Sequence, residues 1–445
     1  MSQRALRIVR GAEAGRQSVL RRDPVAAVEL PAAVKASIME TFGSPLSAAE
    51  VVARIIEDVR REGDAAVKRY SQRFDGSSDA PMEVTGDEID AAFKDVPADL
   101  LEAVEFMADR VRGFHAHQAQ HAPRPFTEHG LGMIVRPIQR AGIYMTGNVA
   151  VLPSSIVHTT VPGVAAGVAE IVGVTAARAD GSVHPLKLVA ARIAGVQRIF
   201  RASGAQALAA LAFGTESIPR VDKVFGPGNI FVTLAKQQLY GQVGIDALYG
   251  PTETVVLADD SAAPDLCAAD LLAQAEHDTL ARPILITTSE AHAEAVAHEV
   301  ELQLADLERA SIARAAIERG GAVVAADLDE AVALANEFAP EHLCLVTRDP
   351  EALAARIQNA GGVFIGESSP EVLGDYVAGP SHVMPTGGSA RFAGPLSVMD
   401  FLKVTSTIAL SRADLRTIGP AAALLARAEG LTAHARSIEL RLEGR

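Results

Sequence analysis

Long unbroken apolar runs, an excess of positive charge and a disulfide-rich set of cysteines are all missing from this 445-residue chain. Each absence excludes a class of protein. The 41 basic against 55 acidic side chains leave a formal charge of −14, which makes nucleic acid and anionic membranes poor partners. The substrate stays open, because a site can carry a local charge of either sign. The most apolar region, Val149 to Ala177, contains His158 and Glu170 and is interrupted by glycines and prolines, so it does not read as a membrane span. Arg4, Arg7 and Arg10 near the start are not followed by the apolar stretch of a secretory signal. Cys267 and Cys344 stand in apolar surroundings and read as buried free thiols in a reducing compartment. A cytoplasmic location is the resulting expectation. Hydrophobic residues at 49% with 22% charged describe a globular chain able to bury sizeable cores, and its length suggests two to three domains.

Residues 1 to about 36 read as an irregular arm. A helix follows from Ser47 through Val51, Val52, Ile55, Ile56 and Val59, and another covers roughly 97–118. After Gly132 short apolar runs alternate with helices. The first series places strands at 134–138, 141–144, 170–174, 198–202 and 222–225. The second places them at 254–258, 283–287, 321–325, 342–346 and 362–365, with a break near 249–252. Alternation at this spacing predicts an α/β fold of two doubly wound parallel sheets, each covered by helices. The last fifty residues leave the pattern: they read as helix broken at Gly419-Pro420, with no strand, packed on something else, plausibly a second subunit.

The segment Leu271 to Asp278 is the most informative for chemistry. Gln274 and His277 stand three apart in a predicted helix over 264–277, so they share one face and can point at a common cation. An amphipathic surface helix fits the same pattern. Gly226-Pro-Gly-Asn229, after a strand and before a helix, is where a phosphate or dinucleotide meets free backbone N–H groups. Phe231 stands where a third glycine would complete the dinucleotide fingerprint, so a plain tight turn remains open. Ser203 to Gln206 forms a second such turn, and the two are expected at adjacent strand ends. Glu341-His342 can serve as an acid–base pair at a helix–strand junction. Asp375 and His382 lie seven apart in a Gly/Pro-rich loop, where convergence on a cleft is favoured. Glu429 and His434 are five apart, about 140° round a helix, too far to grip one atom in the same way. His117 and His121 also look like a metal pair, but Pro123 and Pro125 end that helix and no carboxylate or cysteine stands close in sequence.

Taken together and in order, these segments resemble histidinol dehydrogenase. The likeness is carried by Arg136-Pro-Ile-Gln-Arg-Ala-Gly-Ile-Tyr144, Gly204 to Gly214, Val221 to Asn229, Asp270 to His277, Pro340-Glu-His-Leu343, Gly374 to Gly379 and Leu431-Thr-Ala-His434. It runs from about residue 35 to the C-terminus. The resemblance implies a zinc site made by Gln274, His277, Asp375 and His434, which together with Glu341 also face substrate. Glu341 and His342 would be the catalytic acid–base pair, Thr252, His382 and Glu429 would contact substrate, and Tyr144, Gln206 and Asn229 would contact NAD. It also implies a homodimer whose tails complete the partner's sites. The reaction implied is oxidation of L-histidinol to L-histidine through L-histidinal with two NAD, the last step of histidine biosynthesis. The implied division is an arm (1–36), a zinc-bearing domain (37–140 and 253–395), an NAD-binding domain (141–252) and a tail (396–445).

Two positions depart from the family pattern. Thr252 replaces a common serine, and the Tyr-x-Pro-Gly-Gly loop is Tyr144-Met-Thr-Gly-Asn148 here. Both are compatible with a paralogous zinc- and NAD-dependent enzyme acting on another amino- or hydroxy-alcohol. A catalytically silent sensor is a third reading, opposed by the presence of both Glu341 and His342.

Overall fold

The computed structural model describes residues 5–22, 30–76, 80–146 and 151–443. The chain divides into a large unit, residues 1–120 and 138–401, and a small one, residues 121–137 and 402–445. Strand β1 (Ile8–Arg10) opens the large unit, while β2 (Phe126–Glu128) and β3 (Leu131–Pro137) belong to the small one. Five parallel strands, β4 (Arg140–Tyr144), β5 (Glu170–Thr175), β6 (Arg198–Arg201), β7 (Lys223–Phe225) and β8 (Gly244–Ile245), form the first sheet in the order β6-β5-β4-β7-β8. The second sheet contains β9 (Glu253–Ala258), β10 (Arg282–Thr287), β11 (Gly321–Val324), β12 (His342–Val346) and β13 (Gly362–Ile365). With β1 at its edge the order is β1-β11-β10-β9-β12-β13, again all parallel. Leaving β1 aside, the two sheets repeat one doubly wound order. Each reverses direction of winding once, at β4/β7 and at β9/β12.

Both sheets are covered on both faces, which is why their strands read as nearly continuous apolar runs. In β9, Val255 and Leu257 enter one core while Val256 and Ala258 enter the other. Cys267 and Cys344 are buried free thiols, as the sequence suggests.

Several elements differ from expectation. The arm is not irregular: β1 pairs with β11, Ile8 opposite Ala322, and the helix Ala12–Gln17 follows it. A three-residue edge strand is too short to show a period. The helices between 48 and 120 cover the first sheet, not the second as the 37–140 assignment implies. Val51, Val52, Ile55 and Tyr70 join Phe200 and Leu208 on one face, and Val104, Met107 and Val111 join Ile143 and Leu188 on the other. The first of these helices starts where Ser47 and Glu50 form a reciprocal capping box.

In the small unit β3 is not the opening strand of a parallel series. It pairs antiparallel with β2 and with β14 (Leu402–Ile408), Leu402 opposite Pro137, so the tail does contain a strand. Most of β14 is exposed, and without a buried face it lacks the alternation that reveals strands. Nor does the tail helix break at Gly419-Pro420. It runs Arg412–Ala428, turns at Gly430 in the left-handed region (φ 76°), and returns as Thr432–Leu442. A Cβ on Gly419 would lie 3.3 Å from Ile438 and Leu442, so this glycine lets the two helices approach. Among the described residues no helix is long and apolar enough to cross a membrane.

Candidate active site

Thr252 immediately precedes β9, and Glu341 and His342 stand at the start of β12, so the three meet at the N-terminal ends of two neighbouring strands. The helix carrying Gln274 ends beside them. It spans Pro264–Ala275, two residues shorter than the sequence suggests, and His277 lies in the exposed turn beyond it. That turn is tightened by His277 N–H donating to the Gln274 carbonyl at 3.3 Å.

Thr252 links three of the sequence-selected residues. Its Oγ1 lies 2.7 Å from Glu341 Oε2 and 2.9 Å from Gln274 Oε1. The Gln274 Nε2 in turn donates to Asp375 Oδ2 at 3.2 Å. One hydroxyl hydrogen cannot serve two acceptors, so the chain is satisfied when Glu341 carries a proton and donates it to Thr252. Burial favours that state, lifting the Glu341 pKa to about 7 against the pull of His342.

His342 is buried, and its Nδ1 stands 3.2 Å from the Glu253 carbonyl. A carbonyl only accepts, so the bonding pattern assigns a proton to Nδ1, and the second proton of the charged ring falls to Nε2. That Nε2 is buried without a hydrogen-bond partner, 3.7 Å from Asp375 Oδ1. Burial opposes a charge on the ring, but the surrounding carboxylates of Glu341, Asp375 and Glu371 outweigh it and raise its pKa to about 10. Glu253 is itself held by Arg22, whose guanidinium makes a two-point contact at 2.6 and 2.7 Å and lies over the Phe338 ring. The arm therefore anchors the residue whose carbonyl orients the imidazole.

The donor chemistry of Gln274, His277 and Asp375, an amide, an imidazole and a carboxylate, suits a borderline cation such as zinc. Gln274 and Asp375 are neighbours, joined by the amide Nε2–H at 3.2 Å, but the atom the amide would offer a cation is Oε1, which here faces Thr252. Among the described residues no three His, Cys, Asp or Glu side chains are gathered tightly enough to hold a metal. The fit thus rests on the Gln274–Asp375 pair with His277 in the adjoining turn. Asp375 lies in the short helix Glu371–Tyr376, not in a loop as the sequence suggests, and His382 packs back on its end: His382 Nδ1 donates to the Asp375 carbonyl at 2.7 Å and its Nε2 faces Ser155 Oγ at 3.2 Å. Glu429 and His434 lie in the small unit, Glu429 capping the end of one tail helix and His434 in the first turn of the next, both exposed.

The residues selected for a dinucleotide gather at the C-terminal ends of the first sheet. The two glycine turns are not on adjacent strands, because β5 and β4 lie between β6 and β7. Tyr144, at the end of β4, bridges them. Its hydroxyl accepts from Gly204 N–H at 3.1 Å, and a Cβ on Gly226 (φ 108°) would strike its carbonyl at 2.6 Å. Gln206 is buried two residues further on. Asn229 caps the next helix, accepting from Phe231 and Val232 N–H through Oδ1, which leaves its amide nitrogen for other partners. The winding reversal between β4 and β7 makes this the expected ligand crevice of such a sheet. Gly147 and Asn148 of the altered loop lie outside the described residues.

One titratable residue of the site went unnoticed in the sequence. Glu371 is fully buried, with Oε2 accepting from Thr254 Oγ1 at 2.6 Å and Oε1 lacking a partner. As a lone acid opening a short helix it offers no pattern to detect. Burial raises its pKa to about 7, partly offset by His342. A raised carboxyl pKa means the fold binds the extra proton, so stability is present below the unfolded pKa and lost as pH rises through about 7. Glu371→Gln is therefore expected to gain on the order of 1–3 kcal/mol relative to the parent between pH 5 and pH 8. Melting temperatures across that range check this; parallel curves for the two proteins would refute it.

A profile described as histidinol dehydrogenase matches residues 43–442. The chain is 50% identical over 445 residues to a histidinol dehydrogenase of Deinococcus radiodurans, covering 98% of this chain and 100% of that one. A Thermus thermophilus histidinol dehydrogenase is 50% identical over 395 residues, 88% of this chain and 94% of its own length. The crystal structure of histidinol dehydrogenase from Elizabethkingia anophelis superimposes with a TM-score of 0.89 at 33% identity, covering 100% and 99% of the two chains. On these matches the chain belongs to the histidinol dehydrogenase family and is an oxidoreductase.

Proposed function

We propose that this enzyme oxidises L-histidinol to L-histidine through L-histidinal, using two NAD in succession and one zinc per subunit, as the last step of histidine biosynthesis. The observation that carries the reading is the imidazole of His342, with Nδ1 fixed by the Glu253 carbonyl and Nε2 buried and unpartnered. Bound zinc supplies a Lewis-acidic anchor for substrate nitrogens, and bound NAD accepts the hydride. Gln274, His277, Asp375 and His434 are the proposed metal ligands, and with Glu341 they also face substrate. A cation on Asp375 would reduce the negative charge that holds the His342 proton, freeing Nε2 to take the substrate hydroxyl proton. Glu341, with its pKa at about 7, releases its own proton to solvent and as the carboxylate removes one from the water that adds to the aldehyde. Thr252, joined to both Glu341 and Gln274, aligns base and metal side of the pocket.

His382 and Glu429 complete substrate contact in this proposal; for His382 a contact through Nε2 requires release of Ser155. Tyr144, Gln206 and Asn229 line the NAD side. A homodimer in which each tail serves the partner's site, located in the cytoplasm, completes the picture. The test is purified, zinc-loaded protein with L-histidinol and NAD. Two NADH per histidinol, abolished by chelation and restored by zinc, is the expected result. Turnover of another amino- or hydroxy-alcohol without turnover of histidinol would favour the paralogue that Thr252 hints at. Absence of any redox activity would leave a ligand-binding role.

A further inference from the structure

His158 stands in the middle of the helix Pro153–Ala166, inaccessible to solvent, and takes no part in the chemistry proposed above. Both ring nitrogens and its backbone carbonyl are nevertheless spent on one segment. Its Nδ1 accepts from the His382 backbone N–H at 3.3 Å, which places the ring proton on Nε2, and that N–H donates to the Tyr376 carbonyl at 3.1 Å. Its own backbone carbonyl accepts from Ser381 Oγ at 3.0 Å. Its ring lies flat on the His382 ring, centroids 4.4 Å apart and planes 4° from parallel. One turn earlier in the helix, Ser155 meets His382 Nε2 at 3.2 Å. The segment then closes on itself through His382 Nδ1–H and the Asp375 carbonyl at 2.7 Å.

We infer that His158 is a positioning residue. It ties the segment from Asp375, near the end of the short helix Glu371–Tyr376, to His382 onto the helix that follows β4, and so sets where the Asp375 carboxylate and the His382 ring stand relative to the first sheet. The inference rests on the proposed roles of Asp375 and His382. Few side chains can do this. The position asks for a flat ring, an acceptor on one edge and a donor on the opposite edge, in a site closed to water. Burial, reinforced by the neighbouring His382, drives the His158 pKa down to about 3, so the donor–acceptor pattern does not change over the working pH range. A histidine that merely filled space would leave its nitrogens unsatisfied or turned toward unrelated groups. Here they hold both ends of the loop, at 376 and at 382.

The test compares His158→Phe, which keeps the stacking face and loses both ring hydrogen bonds, with His158→Gln, which keeps a donor. Deuterium exchange of peptides spanning 375–382 is the primary readout, because it needs no turnover. In His158→Phe, exchange there is expected to quicken by about tenfold with peptides of the second-sheet core unchanged, and His158→Gln should recover part of the protection. The KM for L-histidinol should rise by about tenfold while the KM for NAD stays within about twofold. Unchanged exchange at 375–382, or equal shifts in both KM values, would overturn the inference. Altered exchange in a protein that does not oxidise histidinol would instead count against the proposed substrate. If the variants fail to fold, ¹⁵N-histidine spectra of the parent decide: His158 must appear as the neutral Nε2–H tautomer at pH 5, and an Nδ1–H tautomer or an imidazolium would refute the assignment.

Discussion

His342→Asn is expected to lower kcat for histidinol oxidation by roughly 10²–10⁴-fold, the usual contribution of a positioned general base. Asparagine is the informative replacement. Its amide can still donate to the Glu253 carbonyl that now receives Nδ1–H at 3.2 Å, so the local hydrogen bond survives while the unpartnered Nε2 disappears. The parent imidazole also sits among three carboxylates that favour its charged form. Removing it leaves Glu341 without its cationic neighbour, so the carboxyl's pKa should rise further. Steady-state rates with histidinol and, separately, with histidinal distinguish the two half-reactions. The alcohol step should suffer more than the step that begins with water addition, which leans on Glu341. A kcat within about tenfold of the parent in both would remove His342 from the base role.

Lys236→Met should destabilise the fold by about 3–5 kcal/mol, the typical result of stripping one partner from a buried ion pair. Lys236 is fully enclosed, its Nζ 2.5 Å from Asp246 Oδ1 and from the Gly226 carbonyl, with the Tyr249 ring beneath it. Asp246 Oδ2 accepts the Gly226 N–H at 2.7 Å, so the pair grips that glycine from both sides of its peptide. Methionine fills much of the volume but abandons a buried carboxylate. Adding Asp246→Asn should return part of the loss, since the amide oxygen can keep the Gly226 bond without a charge to strand. Urea midpoints of the single and double variants provide the measurement. A loss below about 1 kcal/mol in the single variant, or no recovery in the double, would mean the pair is dispensable. The same single variant should weaken NAD more than histidinol, because the Gly226 turn lies in the proposed dinucleotide crevice.

The parts legible in the sequence are those whose signal is local. Most strands of both parallel sheets were readable because they are buried on two faces and bounded by helices; the edge strands β1 and β8, three and two residues long, were not. Glu341 and His342 were readable as a pair because they are neighbours in the chain. Contacts such as Thr252 with Glu341 or Gln274 with Asp375, separated by 89 and 101 residues, have no local signature. They became visible only through resemblance to a family. The shared face of Gln274 and His277 was argued from a helix that in fact ends at Ala275. His158 did leave a trace, an imidazole inside an otherwise apolar helix, but from sequence it served only to argue against a membrane span. Which sheet the helices of 48–120 would cover could not be read, because amphipathic faces do not name their partners.

The edge strand β1 has a consequence for how the chain is made. Ile8 leaves the ribosome roughly three hundred residues before its pairing partner Ala322. At about 5–20 residues per second, the N-terminal segment waits on the order of 15–60 s before its place in the sheet exists. Arg22 waits as well, since its seat against Glu253 and Phe338 spans both halves of the second sheet. The first sheet can meanwhile collapse on the helices of 48–120, which precede it directly. Synthesis thus completes the first sheet early and the second last, with a strand made roughly three hundred residues before its partner closing one edge.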